Sequence, residues 1–312
     1  MADGVRVSVV MPVHNAAPFV ELAVRSALAS DLRQIEVIVV DDGSEDDSAG
    51  IVAAISDPRV VLLRTSPSGG PSRPRNIGIA RATAPYVAFL DADDSLRPDK
   101  LSAAVAALEK HPRAGFAFAD FESIDESGAL IRDSFLSEYD ALATLTGTPS
   151  DRGWHLIPQQ QLARALVSEN FIGTSGVVAR TALISEVGAF DERFKYSEDR
   201  DLWFRLAHSC DALYWNRVGH SYRVRSGSLT HGPQIRNAYA RIAVLQREKA
   251  RWDPHERTIR RRLDSLIAEN LAGIGYEERR NSRLQAILMF ARAFATSPEA
   301  RWLRGMLGSV VS

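Results

Sequence analysis

A chain of 312 residues, 45% of them hydrophobic and 25% charged, has the material for a large buried core in one big domain or two. Its net charge of −1 argues against a general nucleic-acid binder, and the lone Cys210 excludes an intramolecular disulfide or a cysteine-cluster zinc site. The N-terminus lacks a basic segment followed by a long apolar run, and no stretch approaches the ~18–20 apolar residues of a membrane span, so a cytoplasmic location is expected.

Val5–Met11 ("VRVSVVM") is short and β-branched and predicts a buried strand, broken by Pro12 and Asn15. Pro18–Ala29 has apolar residues at helical spacing, with Pro18 suited to a first turn. Ile35–Val40 ("IEVIVV") predicts a second strand ending at "DDGSEDDS", Asp46–Ile55 a helix, and Val60–Leu63 a third strand. A Gly/Pro/Ser loop with three arginines follows ("RTSPSGGPSRPRN"), then a short helix over Ile77–Arg81. Tyr86–Leu90 is a fourth strand and runs into Asp91, Asp93 and Asp94. Leu101–Glu109 reads as a helix and Gly115–Phe121 as a fifth strand.

Residues 122–157 read as loop, with helices over Gln160–Val167, Thr181–Val187 and Ser197–Ala207, the last with Ser197 as N-cap. Beyond Pro233 the pattern is helical, with breaks at "DPHE" and "GIGYEERRNS". Residues 233–312 carry fifteen Lys/Arg against eight Asp/Glu, an asymmetry that suggests a separate job.

Strands alternating with helices predict βαβ units and a mainly parallel sheet, with the ligand crevice beyond the strands' carboxyl ends. The polar clusters "PVHN", "DDGS" and "DADD" fall where that rule puts a site. The first strand-to-helix turn, "PVHNAAP", has no glycine, and there is no Walker sequence, which argues against both phosphate-cradle designs. A G-x-S-x-G elbow is absent as well. A calcium loop starting at Asp91 would need Gly and Glu where Leu96 and Ser102 stand. What remains is a carboxylate cluster suited to a hard divalent cation, or a helix start in which Asp94 or Ser95 caps while Asp91 and Asp93 are solvated.

Four segments in order, "VVMPVHNAAPFVELAVRSALA", "IEVIVVDDGSEDDS", "PRNIGIARATAPYVAFLDADD" and "SEDRDLWFRL", resemble the family 2 glycosyltransferases of the GT-A fold, over roughly Val5 to Thr230. The resemblance implies an α/β, Rossmann-like, mixed and mainly parallel sheet flanked by helices. It assigns 1–121 to a nucleotide-sugar half, 122–232 to an acceptor half of the same domain, and leaves 233–312 as a helical extension. It also implies an inverting, metal-dependent sugar transfer from a nucleotide donor, UDP above all, to a saccharide or lipid-linked acceptor in polysaccharide or envelope biosynthesis.

By position, the resemblance places Pro12, Val13, Asn15 and Asp42 at the nucleotide, with Asp42 accepting from the base. Arg75 and Asn76 match an "RN" near the nucleotide. Asp93 would hold Mg²⁺ or Mn²⁺, with Asp91 beside it toward the ribose. Asp199 would be the base that deprotonates the acceptor hydroxyl, with Glu198, Trp203, Gly173 and Thr174 on the acceptor side. For Trp203, packing in the core is the stronger alternative. Burial would raise the pKa of Asp199 and a helix N-terminus would lower it, and the sequence does not choose between them.

Arg225 stands where many relatives have His. It is suited to phosphate charge but cannot be a metal ligand; His231 is the candidate replacement. The basic C-terminal helices would either pack on the catalytic domain or lie on an anionic membrane surface, making the protein peripheral on the cytoplasmic face. Two other readings remain: a sugar nucleotidyltransferase, which would normally carry a Gly-rich first loop with a basic residue, and a non-catalytic nucleotide-sugar-binding module.

Overall fold

The computed structural model describes residues 4–146, 153–225 and 234–311. The chain divides into two compact units, one ending at Arg225 and one beginning at Ser226.

The first unit opens with β1 (Val7–Val13), α1 (Val20–Leu28), β2 (Ile35–Asp41), α2 (Ser48–Ala53), β3 (Val60–Arg64), α3 (Ser72–Arg81) and β4 (Tyr86–Phe89). Strands β3, β2, β1 and β4 lie side by side in that order, all parallel. β1 and β2 are buried on both faces, which is why they read as continuous apolar runs. Chain order reverses at β1, between β2 and β4, so the crevice at the carboxyl ends of these strands is the expected ligand position.

The chain continues through β5 (Ser95–Leu96), α4 (Lys100–Lys110), β6 (Ala114–Ile124), β7 (Leu130–Arg132), α5 (Asp140–Ala143), β8 (Trp154–Ile157) and α6 (Gln159–Ser168). β9 (Val178–Arg180), α7 (Thr181–Glu186), α8 (Glu198–Ala207) and β10 (Asp211–Arg223) complete the unit. β9 inserts antiparallel between β4 and β6, and β10 runs parallel to β6. The result is a mixed, mostly parallel ten-stranded sheet flanked by helices, as expected.

Several boundaries differ from the sequence reading. β7 and β8 lie in the stretch read as loop, and the thirteen-residue β10 was not anticipated. Its sequence, "DALYWNRVGHSYR", mixes charge with apolar residues, and register shifts between Trp215 and His220 break its alternation. The boundary drawn at residue 121 between two halves falls inside β6. α3 begins at Ser72 rather than Ile77, because Pro74 sits in the first turn, where a missing N–H costs no helical hydrogen bond. The helix read over Leu101–Glu109 runs from Lys100 to Lys110, so Asp94 and Ser95 do not cap it, and Ser95–Leu96 pairs with β10.

The second unit contains α9 (Gln234–Arg251), α10 (Arg257–Glu278), α11 (Arg283–Thr296) and α12 (Ala300–Val311). Consecutive helices pack on one another. The "GIGY" residues themselves continue α10. Gly275 lies against the Phe290 ring, which a Cβ there would approach to 3.1 Å, so the glycine admits the ring of α11. The break falls at 279–282, within the expected "GIGYEERRNS" segment, with Ser282 capping α11 by accepting from the Gln285 amide. Trp302 is buried, whereas Leu284 and Leu288 of α11 and Leu303 and Leu307 of α12 are exposed. Among the described residues, no helix is long and apolar enough to cross a membrane.

Candidate active site

Three chain segments converge at the carboxyl edge of the sheet. The strand end after β4 supplies Asp91, Asp93 and Asp94. The antiparallel direction of β9 brings the turn before it alongside: the Gly176 amide donates to Phe89 O at 2.9 Å, and Phe89 N donates to Val177 O at 3.0 Å. Ser175 thereby accepts from the Asp91 amide and donates to the Asp94 carboxylate. The end of β10 arrives from the other side, where the Arg223 amide donates to Asp94 Oδ1 at 2.9 Å.

Asp94 is thus neither a cap nor a solvated residue. It is buried and stitches the strand end to two neighbouring elements. Burial, with Asp93 and Asp91 close by, pushes its pKa well above the carboxylate range. Arg223 adds a bond from Nε to Asp93 O at 3.0 Å and one from Nη1 to Asp125 O at 2.8 Å. Nothing in the sequence reading singled out Ser175 or Arg223. The "RVR" spacing was a usable signal, since residues two apart on an extended chain share a face.

Asp93 keeps a mostly buried carboxylate whose Oδ2 accepts from Arg225 Nε at 2.6 Å. Burial and the nearby Asp91 raise its pKa, against the pull of Arg225. The donor set here is one or two hard carboxylates. Among the described residues no group of three or more His, Cys, Asp or Glu is placed to hold a metal unaided. That composition fits Mg²⁺ or Mn²⁺, which complete their shells with water and substrate phosphate oxygens. His231 lies outside the described residues.

α8 provides the opposing acids. Trp203 anchors it: the indole is 0% exposed, stacks on Phe116 at 6.1 Å, and donates from Nε1 to Ile172 O at 3.1 Å. An acceptor-facing role for Trp203 is therefore corrected: it is core. Its packing fixes the α8 N-terminus, where Glu198 and Asp199 sit. Ser197 occupies the N-cap position but makes no side-chain cap bond, because it adopts a left-handed conformation with φ 57°.

Burial pushes the Asp199 pKa up, and this outweighs the Arg200 amide, which donates to Oδ1 at 2.7 Å, and the nearby Arg75, Arg200 and Asn170. The choice left open in the sequence thus falls to desolvation. Burial, with Asp199 adjacent, raises Glu198 to about 7, against the charge of Arg75.

Arg75 is 3% exposed and lies between the two sets of acids. Nη1 donates to Glu198 Oε1 and Nη2 to Asp91 Oδ1, each at 2.7 Å. Burial alone would lower its pKa, but the two carboxylates more than offset that and raise it. Asn76 is also held by protein partners. Its amide accepts from Phe190 N and donates to Phe190 O and Glu192 Oε1, tying α3 to the 190–192 turn. Asn15 is a turn-former with φ 51°, its Oδ1 accepting from the Glu45 amide at 2.8 Å.

The remaining predicted site residues sit at strand ends and in adjoining turns. Pro12 and Val13 close β1, opposite Val40 and Asp41 of β2. Asp42 is buried and accepts from Ser68 N at 3.0 Å and Ser68 Oγ at 2.7 Å, holding the loop before α3 against the strand end. Gly43, at φ 68°, admits Pro67 of that loop, which a Cβ would approach to 2.5 Å. Gly173 is partly exposed and Thr174 buried in the turn before β9.

A carboxylate-bearing strand end beside the strand reversal point, joined through Arg75 to the acids of α8, fits a nucleotide-sugar transferase type of site. Residues 8–165 match the model of the family described as "Glycosyl transferase family 2", and the chain belongs to that family. The succinoglycan biosynthesis protein ExoO of Rhizobium meliloti is 32% identical over 241 residues, spanning 76% of this chain and 66% of that protein. An uncharacterised glycosyltransferase of Haemophilus influenzae is 38% identical over 122 residues, 37% of this chain and 49% of its own length. The chain therefore spans about half to two thirds of the length of these relatives. In fold it is similar to S. aureus TarS residues 1–349 in complex with UDP-GlcNAc, with a TM-score of 0.65 and 19% identity over 94% of this chain and 82% of that one.

Proposed function

We propose that this protein is an inverting glycosyltransferase that moves a sugar from a UDP-sugar to a hydroxyl of a saccharide or lipid-linked acceptor in bacterial polysaccharide or envelope biosynthesis. The observation that supports this reading is the tether through Arg75, which joins Asp91 at the strand end after β4 to Glu198 at the start of α8. The succinoglycan-biosynthesis relative supports the pathway class, and the UDP-GlcNAc complex of the fold relative supports the donor class.

In this reading Asp199 takes the proton of the acceptor hydroxyl as that oxygen attacks the anomeric carbon. The bond from that carbon to the diphosphate breaks on the opposite face, which inverts the centre. A raised pKa suits Asp199 to the task, since a base poised nearer neutral pH accepts a proton more readily. Glu198, held by Arg75, orients the acceptor beside it. Asp42 and the end of β1 receive the base, and Arg225 meets diphosphate charge. Asp93, with Asp91 beside it, would hold Mg²⁺ or Mn²⁺. Such an ion supplies positive charge against the charge that develops on the leaving diphosphate.

The test is a thermal-shift screen of nucleotide sugars with Mn²⁺, followed by an assay of UDP release. One UDP-sugar is expected to stabilise the fold by mass action and to be turned over. Release of pyrophosphate instead of UDP, or wild-type turnover by Asp199→Ala, overturns the reading.

A further inference from the structure

Arg223 and Arg225 reach the same strand end but are held differently. Arg223 is committed: its amide, Nε and Nη1 all donate, to Asp94, Asp93 O and the Asp125 and Glu126 carbonyls. Its guanidinium also lies 5.1 Å from the Phe19 ring centroid. Arg225 makes one strong contact, from Nε to the Asp93 carboxylate, and a looser one over Phe19 at 5.9 Å. Its side chain is 25% exposed. One arginine is a structural rivet, and the other is a cation resting on the carboxylate assigned to the metal.

A guanidinium on Oδ2 and a divalent cation compete for the same carboxylate, by charge and by space. Asp91 heightens the demand of Asp93 for some cation, because like charges crowded at one strand end repel. A diphosphate offers a guanidinium more charge and a better fork geometry than a single carboxylate oxygen.

We propose that Arg225 is an internal counter-ion that holds Asp93 until a nucleoside diphosphate group arrives, then exchanges the carboxylate for phosphate oxygens. This inference rests on the proposed function. It makes divalent-cation binding and nucleotide binding mutually dependent, by a factor that must be the same whichever binds first. The resident arginine weakens metal binding to the free protein and amplifies metal binding to the nucleotide complex.

The experiment measures Mn²⁺ affinity of the full chain by electron paramagnetic resonance of the free ion, with and without UDP, for wild type, Arg225→Ala, Arg225→Gln and Asp93→Asn. Without UDP, both Arg225 variants are expected to bind Mn²⁺ about tenfold more tightly than wild type, the scale of one charge-assisted contact. The tightening caused by UDP is expected to shrink in both variants. Equal Mn²⁺ affinity in wild type and both Arg225 variants without UDP overturns the inference. Failure of the wild type to bind UDP, or undiminished Mn²⁺ binding by Asp93→Asn, overturns instead the assignment of the site. Thermal melts of all four proteins confirm that each is folded.

Discussion

Arg75 and Glu198 form a buried ion pair of 2.7 Å across 123 positions of sequence. The same guanidinium holds Asp91, so α3 fixes the strand end after β4 and the start of α8 relative to each other. A planar fork bridging two carboxylates does what an ammonium cannot. Arg75→Ala leaves two carboxylates without their partner and is expected to cost about 3–5 kcal/mol, the usual result of removing one side of a buried pair. Arg75→Lys is expected to fold, with a smaller loss, yet to reduce turnover strongly, because one point charge cannot span both acids. Urea unfolding read beside UDP release separates the two effects.

The Glu198–Asp199 pair gives the activity a pH signature. A base works only when deprotonated, and burial has raised both acids, with Glu198 at about 7. Turnover is therefore expected to rise with pH through a limb above the ordinary carboxylate range, with apparent values that belong to the pair. Asp199→Asn is expected to lower turnover by about 10²–10⁴-fold, the span of general-base contributions, while the fold keeps its stability. A pH–rate profile with its acid limb at pH 4 contradicts this account of the pair.

Lys100 is a buried cation outside the reaction. It is 0% exposed, its Nζ has no hydrogen-bond partner, and it lies 5.5 Å from the Trp154 ring centroid. Burial lowers its pKa from 10.5 to about 7. Between those values the unfolded chain binds the proton that the folded chain releases, so stability rises with pH across that window. The cost is full below pH 7 and vanishes above 10.5. Lys100→Met is expected to stabilise the protein by about 1–3 kcal/mol at pH 6, the scale of an unpaired buried polar group. The gain should shrink by pH 9. Melting temperatures of both proteins at the two pH values provide the comparison.

These features differ in how far local sequence reveals them. β1, β2 and β4 were legible because a strand buried on both faces must be apolar throughout, and a turn residue must end it. β10 was not, because it carries charge and a bulge where it serves the site. The carboxylates at Asp93 and Asp199 stand out within short motifs, which local pattern preserves. Apart from Asp91, which lies 16 positions from Arg75, the partners that hold Arg75, Asn76 and Asp94 lie from 81 to 129 positions away, and no local pattern records such distances. Arg75 and Asn76 read as loop residues near the nucleotide; they are helical residues, Arg75 joining Asp91 to Glu198 and Asn76 tying α3 to the 190–192 turn.

Trp203 offers a test that distinguishes packing from binding. Its ring stacks on Phe116 and lies 6.5 Å from Phe89, and its N–H satisfies the Ile172 carbonyl. Trp203→Phe keeps an aromatic ring but leaves that carbonyl unpaired, with an expected loss of about 1–3 kcal/mol. Trp203→Ala adds a cavity and is expected to cost about 3–5 kcal/mol. Because the indole touches no solvent, the acceptor KM of Trp203→Phe should stay at the wild-type value while its melting temperature falls. A raised KM with an unchanged melting temperature would instead place the ring against the acceptor, since a stacking platform contributes to binding and a core residue to stability.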